Sequence, residues 1–291
     1  MRNNFKTLVL MAGLGALFVI VGQVMGGTSG AVIALGFAAL LNMGMYFFSD
    51  KIALASARAR PVEDHELPNV YSTVRSLVQR ENMPMPRIYV IDSPQPNAFA
   101  TGRSPKHAAV AVTTGILQIM DHSELEGVLA HELAHVRNRD ILIASIAATV
   151  AAALTLLIRL AFWTGMGRQD RRSDPASAII TLLAFILAPL AAMVIQMAIS
   201  RAREYEADRT AAVMTGSPLA LARALEKLEV GTRQIPMDVN PSTAQLFIAD
   251  PLKAFGRRGA GGVGGFTRLF STHPPIPERI DRLSQMAGGI R

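Results

Sequence analysis

His131-Glu132-Leu133-Ala134-His135 decides how this chain reads. On a helix, residues i and i+4 lie one turn apart on nearly the same face, so both imidazoles can hold one metal ion. Glu132 then points to the side, where it can reach a metal-bound water rather than the metal. Two nitrogen ligands beside a carboxylate base are the parts that metal-assisted peptide hydrolysis needs. The chain has no cysteine, which excludes disulfides and thiolate ligands, so any metal must be held by nitrogen and oxygen.

Outward from this stretch the chain turns apolar. Half of its 291 residues are hydrophobic, and the excess lies in four runs: Thr7–Met25, Ala31–Phe48, Ile141–Phe162 and Ala178–Ile199. Each is about 18–22 residues, enough to cross a hydrocarbon layer of roughly 30 Å as a helix. The first two are separated only by Gly26-Gly27-Thr28-Ser29-Gly30 and read as an uncleaved hairpin rather than a signal peptide. The expected architecture is therefore mainly α with a small β-sheet, an α+β zincin-like catalytic domain, plus four apolar membrane helices in two hairpins. Residues 1–48 form the first hairpin, 49–140 the first part of the catalytic domain, 141–199 the second hairpin and 200–291 the second catalytic part.

The net charge of +7 fits basic flanks around spans. Arg2 and Lys6 precede the first run, and Lys51, Arg58 and Arg60 follow the second. The positive-inside rule places both termini and the catalytic region in the cytoplasm. Arg168, Arg171 and Arg172 between the last two runs conflict with that and leave open whether the second hairpin crosses fully. Nucleic acid is excluded as a partner, because the positive residues flank spans and are not interleaved with aromatics.

Within the polar segment, Val70, Val74, Leu77 and Val78 recur at helical spacing over Glu66–Glu81. Arg87–Asp92, Asn97–Thr101 and Ala108–Thr113 read as short strands. Ser123-Glu124-Leu125-Glu126 has the form of a capping box that starts the metal helix. Beyond the fourth run, Arg201–Thr215 and Pro218–Val230 read as helices broken at Gly216-Ser217. Gly231–Gly265 reads as a mobile loop, and a short helix closes the chain near Pro277–Met286.

Two histidines leave a catalytic metal one protein ligand short. His65, His107, His122, His273 and the carboxylates are the candidates. The third run starts six residues after His135 and the fourth ends shortly before Glu204, so an in-and-out helical pair returns Glu204 to the metal helix. Asp208, one turn on, can accept a hydrogen bond from a ligand imidazole. On spacing alone, Glu204, Glu206 and Asp208 read equally well as a solvated face paired with Arg201 and Arg203.

The two segments together, His131–His135 and Ser200-Arg201-Ala202-Arg203-Glu204-Tyr205-Glu206-Ala207-Asp208, resemble the HtpX family of integral membrane zinc metallopeptidases, relatives of the CAAX prenyl proteases. Asn97-Ala98-Phe99-Ala100 and His273-Pro274-Pro275 with Glu278-Arg279-Ile280 match in the same order, so the resemblance covers essentially the whole chain. It implies one Zn2+ per chain held by His131, His135 and Glu204, with Glu132 as general base and Asp208 as hydrogen-bond partner of a ligand. It further implies an edge strand at Asn97, Ala98, Phe99 and Ala100 on which substrate backbone can add. His273 and Arg279 would lie near the developing oxyanion. The implied activity is endoproteolysis of damaged or misfolded membrane proteins at the cytoplasmic face of a bacterial-type inner membrane, under stress. Cleavage inside the bilayer fits less well, because Asp121, His122, Ser123, Glu124 and Glu126 make the approach to His131 polar. A membrane scaffold or chaperone-like adaptor with structural zinc is the alternative of a different class; it needs a fourth protein ligand.

Overall fold

The computed structural model describes residues 2–150, 201–240, 243–256 and 274–289. Most of the run Ile141–Phe162, the run Ala178–Ile199, the arginine-containing turn between them, the glycine-rich stretch and His273 fall outside those residues.

The first helix, α1 (Arg2–Ser56), is two arms joined at Gly26 and Gly27, whose backbones are non-helical; Gly27 has φ 59°. The arms fold against each other. Asn42 Nδ2 donates to Met11 O at 3.1 Å, and Phe18 meets Phe37 edge-on at 5.4 Å. Near the turn the backbones nearly touch, since a Cβ on Gly22 would lie 2.4 Å from Gly30 O. Such small residues are what a close helix pair in lipid requires. Ile33, Leu35 and Leu40 face outward and exposed. The two arms of α1 thus form a helical hairpin. Of the four expected membrane helices, however, one clear spanning candidate stands among the described residues, Gly26–Ser56. The first arm offers only a shorter apolar stretch, Met11–Ile20.

The end of α1 packs against the sheet. Arg87 donates to Asp50 at 2.7 Å, and Ala53, Leu54 and Ala57 pack beneath the sheet with Ile91 and Ala111. The remaining elements are β1 (Arg60–Pro61), α2 (Pro68–Arg80), β2 (Arg87–Ile91), β3 (Ala98–Gly102), β4 (Ala108–Thr113), α3 (Thr114–Ile119) and α4 (His122–Arg137). They continue with α5 (Asp140–Val150), α6 (Arg201–Thr215), α7 (Pro218–Gln234) and α8 (Ile276–Gly289). The sheet order is β1-β2-β4-β3. It is mixed: β2 and β4 run parallel, while β1–β2 and β3–β4 are antiparallel.

Both sheet faces are covered, which explains why Ala108–Val112 is a continuous apolar run rather than an alternating one. Ile88, Val90, Val110 and Val112 enter the main core with α2, α4 and α7. Ala109, Ala111 and Phe99 point to the opposite face and its smaller core, as the two-residue period of a strand demands.

Two expectations are corrected here. The helix cap is Asp121, not Ser123. Asp121 Oδ1 accepts from Glu124 N at 2.9 Å, and Glu124 Oε2 accepts from Asp121 N at 3.0 Å. Only Asp121 has the extended backbone a cap needs (φ −72°, ψ 173°); Ser123 is already helical and donates its hydroxyl to Asp121 instead. The second correction concerns Gly231–Gly265. Its first residues belong to α7, and Phe247, Ile248 and Ala249 are buried, with Phe247 bridged antiparallel to Phe99. The apolar sequence Leu246-Phe247-Ile248-Ala249 overrides the glycines that follow it.

Candidate active site

The metal helix α4 lies between the sheet and α6–α7, and most of its residues are buried, including His131, Glu132 and Ala134. Its two imidazoles stand edge-on with centroids 4.8 Å apart. Glu204 and Asp208 occupy successive turns of α6 on its buried face. Glu204 Oε2 lies 3.8 Å from His131 Nε2, and Oε1 lies 3.5 Å from His135 Nε2. One ligand atom from each of His131, His135 and Glu204 can be chosen so that all lie within 4.8 Å of one another, and this is the group among the described residues that can hold a metal ion. Atoms bonded to one tetrahedral zinc at about 2.0–2.1 Å sit roughly 3.3–3.4 Å apart. The two histidine–Glu204 separations are within about 0.5 Å of that. The donor set of two imidazoles and a carboxylate can hold a metal ion.

Each imidazole is held from behind. Asp208 Oδ1 lies 2.9 Å from His131 Nδ1, and Asp140 Oδ2 lies 3.2 Å from His135 Nδ1. Asp208 is gripped in turn by Arg279, whose Nε and one terminal nitrogen donate to its two oxygens at 2.8 and 2.7 Å. The other terminal nitrogen donates to Ile248 O at 3.1 Å. Arg279 is completely buried. Its N–H groups are committed to a carboxylate and a carbonyl, so it holds Asp208 and the 248 backbone in place rather than facing the cleft.

The electrostatics differ between the two rings. Burial, then the charge of Arg279, lowers His131 to about 4, which keeps it neutral, the form in which an imidazole can bind a metal. Burial also pulls His135 down, but the hydrogen bond to Asp140 and the charges of Glu204 and Glu132 outweigh it and raise the ring to about 9. Burial, reinforced by Glu204 and opposed by His135, raises Glu132 to about 7. A carboxylate poised near neutrality is suited to taking up and giving back a proton.

The cleft is lined by His131, Glu132, His135, Glu204, Asp140, Arg203, Gln245 and an apolar wall that includes Ala100, Ile141 and Ala144. Of the four residues expected to bind substrate, Ala100 lines it. Asn97, Ala98 and Phe99 are spent on the 247–249 segment. Asn97 Nδ2 donates to Ala249 O at 2.8 Å, Ala98 O accepts from Ile248 N at 2.9 Å, and Phe99 stacks edge-on against Phe247. Ala100 is the β3 residue that reaches the cleft. Sequence reasoning missed Asp140, and missed the clasp of Arg279 on Asp208. His65, His107 and His122 take no part in the site.

Comparison with known proteins agrees with this geometry. The model of peptidase family M48 matches residues 64–287. A protein of Pelotomaculum thermopropionicum described as a protease HtpX homolog is 50% identical over 288 residues, 98% of this chain and 99% of that protein. One of the same description from Thermodesulfovibrio yellowstonii is 51% identical over 287 residues, 98% and 99% of the two chains. Among solved structures, S. mikatae Ste24p superposes with a TM-score of 0.52 at 20% identity, over 97% of this chain and 65% of that one. This chain thus spans less than two thirds of Ste24p, and the likeness is one of fold.

Proposed function

We propose that this chain, a member of peptidase family M48 similar to proteins described as protease HtpX homologs, is a membrane zinc endopeptidase whose ion is held by His131, His135 and Glu204, one per chain. The observation that carries this is the convergence of three ligand atoms from α4 and α6 beside the buried carboxylate of Glu132. Zinc at such a site supplies a Lewis acid and lowers the pKa of a bound water to about 7.

The protein's own residues do the rest. Glu132 accepts the water's proton and passes it to the leaving amine. Asp208, clamped by Arg279, keeps the His131 ring fixed. The substrate backbone extends β3 from Ala100 onward, beside the backbone hydrogen bond that Ala100 gives Glu132. His273 is the proposed donor to the developing oxyanion; Arg279 is assigned to positioning instead. The substrates are membrane-associated proteins, damaged or misassembled, cleaved at the cytoplasmic face as part of quality control. Support for that location comes from the basic residues Lys51, Arg58 and Arg60 next to the spanning helix. The division at residues 48, 140 and 199 goes with this reading, although α1 runs on to Ser56. Among the described residues the group that can hold a metal has three members, one short of the four protein ligands that the scaffold alternative needs.

The test is Glu132→Gln in purified detergent-solubilised protein. Metal content should match the parent while cleavage of a membrane-embedded reporter falls by about 10²–10⁴-fold, and a chelator should silence the parent. A variant that cleaves at the parental rate refutes the assignment.

A further inference from the structure

We infer that Asp140 is a positioning residue for the ion: it fixes the ring of His135, and through that ring it ties the metal to the root of the apolar helix α5. The inference rests on the reading of His131, His135 and Glu204 as ligands. The two imidazoles are nearly perpendicular, at 89°, so one neighbour cannot orient both. The structure gives each its own carboxylate on the same ring atom. His131 Nδ1 faces Asp208 and His135 Nδ1 faces Asp140, while both Nε2 atoms turn toward Glu204. A ring whose Nδ1 proton is donated to a carboxylate has one tautomer and presents its Nε2 lone pair outward. The Asp140 side chain is only 7% exposed, so water competes little for the bond.

The backbone shows how Asp140 reaches that position. Were α4 to continue, residue 140 would sit about 140° around the helix from His135 and point away from it. Instead Asn138 closes α4 and Arg139 takes φ 58°, a left-handed conformation uncommon for a non-glycine residue. The helix breaks there, and Asp140, first residue of α5, meets the ring. The next turn of α5 supplies Ile141 and Ala144 to the same cleft. Coupling of this kind is reciprocal. What steadies Asp140 strengthens metal binding, and bound metal steadies the start of α5.

The experiment uses the full-length chain in detergent, as parent, Asp140→Asn and Asp140→Ala. Zinc affinity is measured by competition with a chromophoric chelator, and amide hydrogen exchange over residues 138–144 is followed with and without zinc. Asp140→Ala should bind zinc about 10–100-fold more weakly. Asp140→Asn should fall between, because its amide oxygen still accepts the bond but lacks the charge. Zinc should slow exchange at 138–144 in the parent, and less so in Asp140→Ala even when saturated. A merely structural role would alter the exchange or melting of the metal-free protein and leave zinc affinity within about twofold of the parent. Unchanged affinity in both variants, or no effect of zinc on exchange in the parent, overturns the inference. If Asp140→Ala does not fold, the affinity of Asp140→Asn decides by the same criterion. No proteolysis enters the readout, so a parent that binds zinc yet cleaves nothing sinks the peptidase reading and leaves this one standing.

Discussion

Replacing Arg279 by methionine should cost the metal-free protein about 3–5 kcal/mol at neutral pH, the penalty for removing one partner of a buried ion pair. Arg279 is completely buried and the Asp208 side chain is 5% exposed, so water cannot take the guanidinium's place. Methionine fills much of the stem's volume, but it abandons both charge-assisted bonds to Asp208 and the bond to Ile248 O. The donor left to Asp208 is His131, which is neutral and cannot balance the charge. The sign of the pH dependence follows. Burial pushes the Asp208 carboxyl up, but Arg279 and His131 together hold it below its ordinary value. In the parent its contribution is therefore present above the unfolded-state pKa of about 3.9 and is lost as pH falls through the lower folded value. In the variant, burial is opposed only by His131, and the folded pKa rises above the unfolded one. Its penalty is then full near neutral pH and shrinks on acidification. Urea unfolding followed by far-UV circular dichroism in mild detergent measures both effects. The double variant Arg279→Met with Asp208→Leu should recover most of the loss, because apolar replacement of a whole buried pair is often neutral or better. An Arg279→Met protein within about 1 kcal/mol of the parent at pH 7, or a deficit that widens in acid, refutes the reasoning.

Two further outcomes are expected. Glu204→Ala should lower metal occupancy after dialysis, measured by elemental analysis, whereas unchanged content would reassign the third ligand. Gly102→Ala should destabilise the fold by about 1–3 kcal/mol, because Gly102 has φ 140° and a Cβ there would lie 2.5 Å from His107 O; an unchanged urea midpoint would show that the β3–β4 turn relaxes freely.

Where a feature depends on local periodicity, the sequence was a good guide. The i, i+4 histidines do share a face, and the strand expected over Arg87–Asp92 is β2 to within a residue. The break at Gly216 holds because that glycine takes φ 67°. Features built by distant residues were not legible in the same way. The burial of Phe247 depends on Phe99, and the Ala249 carbonyl on Asn97, 152 positions away; neither partner is visible from a window around residue 247. Asp140 left a fainter local trace. It follows a polar Asn138-Arg139 pair at the point where the metal helix gives way to an apolar run, a place where a carboxylate at the root of an apolar run needs a reason.

Arg279 shows what a stricter reading of the same letters could have found. In α8 the buried positions are Ile276, Arg279 and Leu283, so the arginine sits inside the apolar stripe of an amphipathic helix. On α6, Glu204 and Asp208 share the buried face with Ala207, Ala211 and Ala212. A charge on a core-facing stripe is tolerated only when a partner of opposite sign is buried with it. One cation out of place on one helix and two carboxylates out of place on another therefore constrain each other before any coordinates are known. One carboxylate must neutralise the arginine, which leaves the other available to a cation from outside the chain. The structure divides them in that way: Asp208 takes both strong bonds of Arg279, while Glu204, 3.9 Å from the guanidinium, turns its oxygens toward the two imidazoles. Glu204 is thereby left to the two imidazoles, with which it can hold a metal ion, in agreement with the His-Glu-x-x-His pattern.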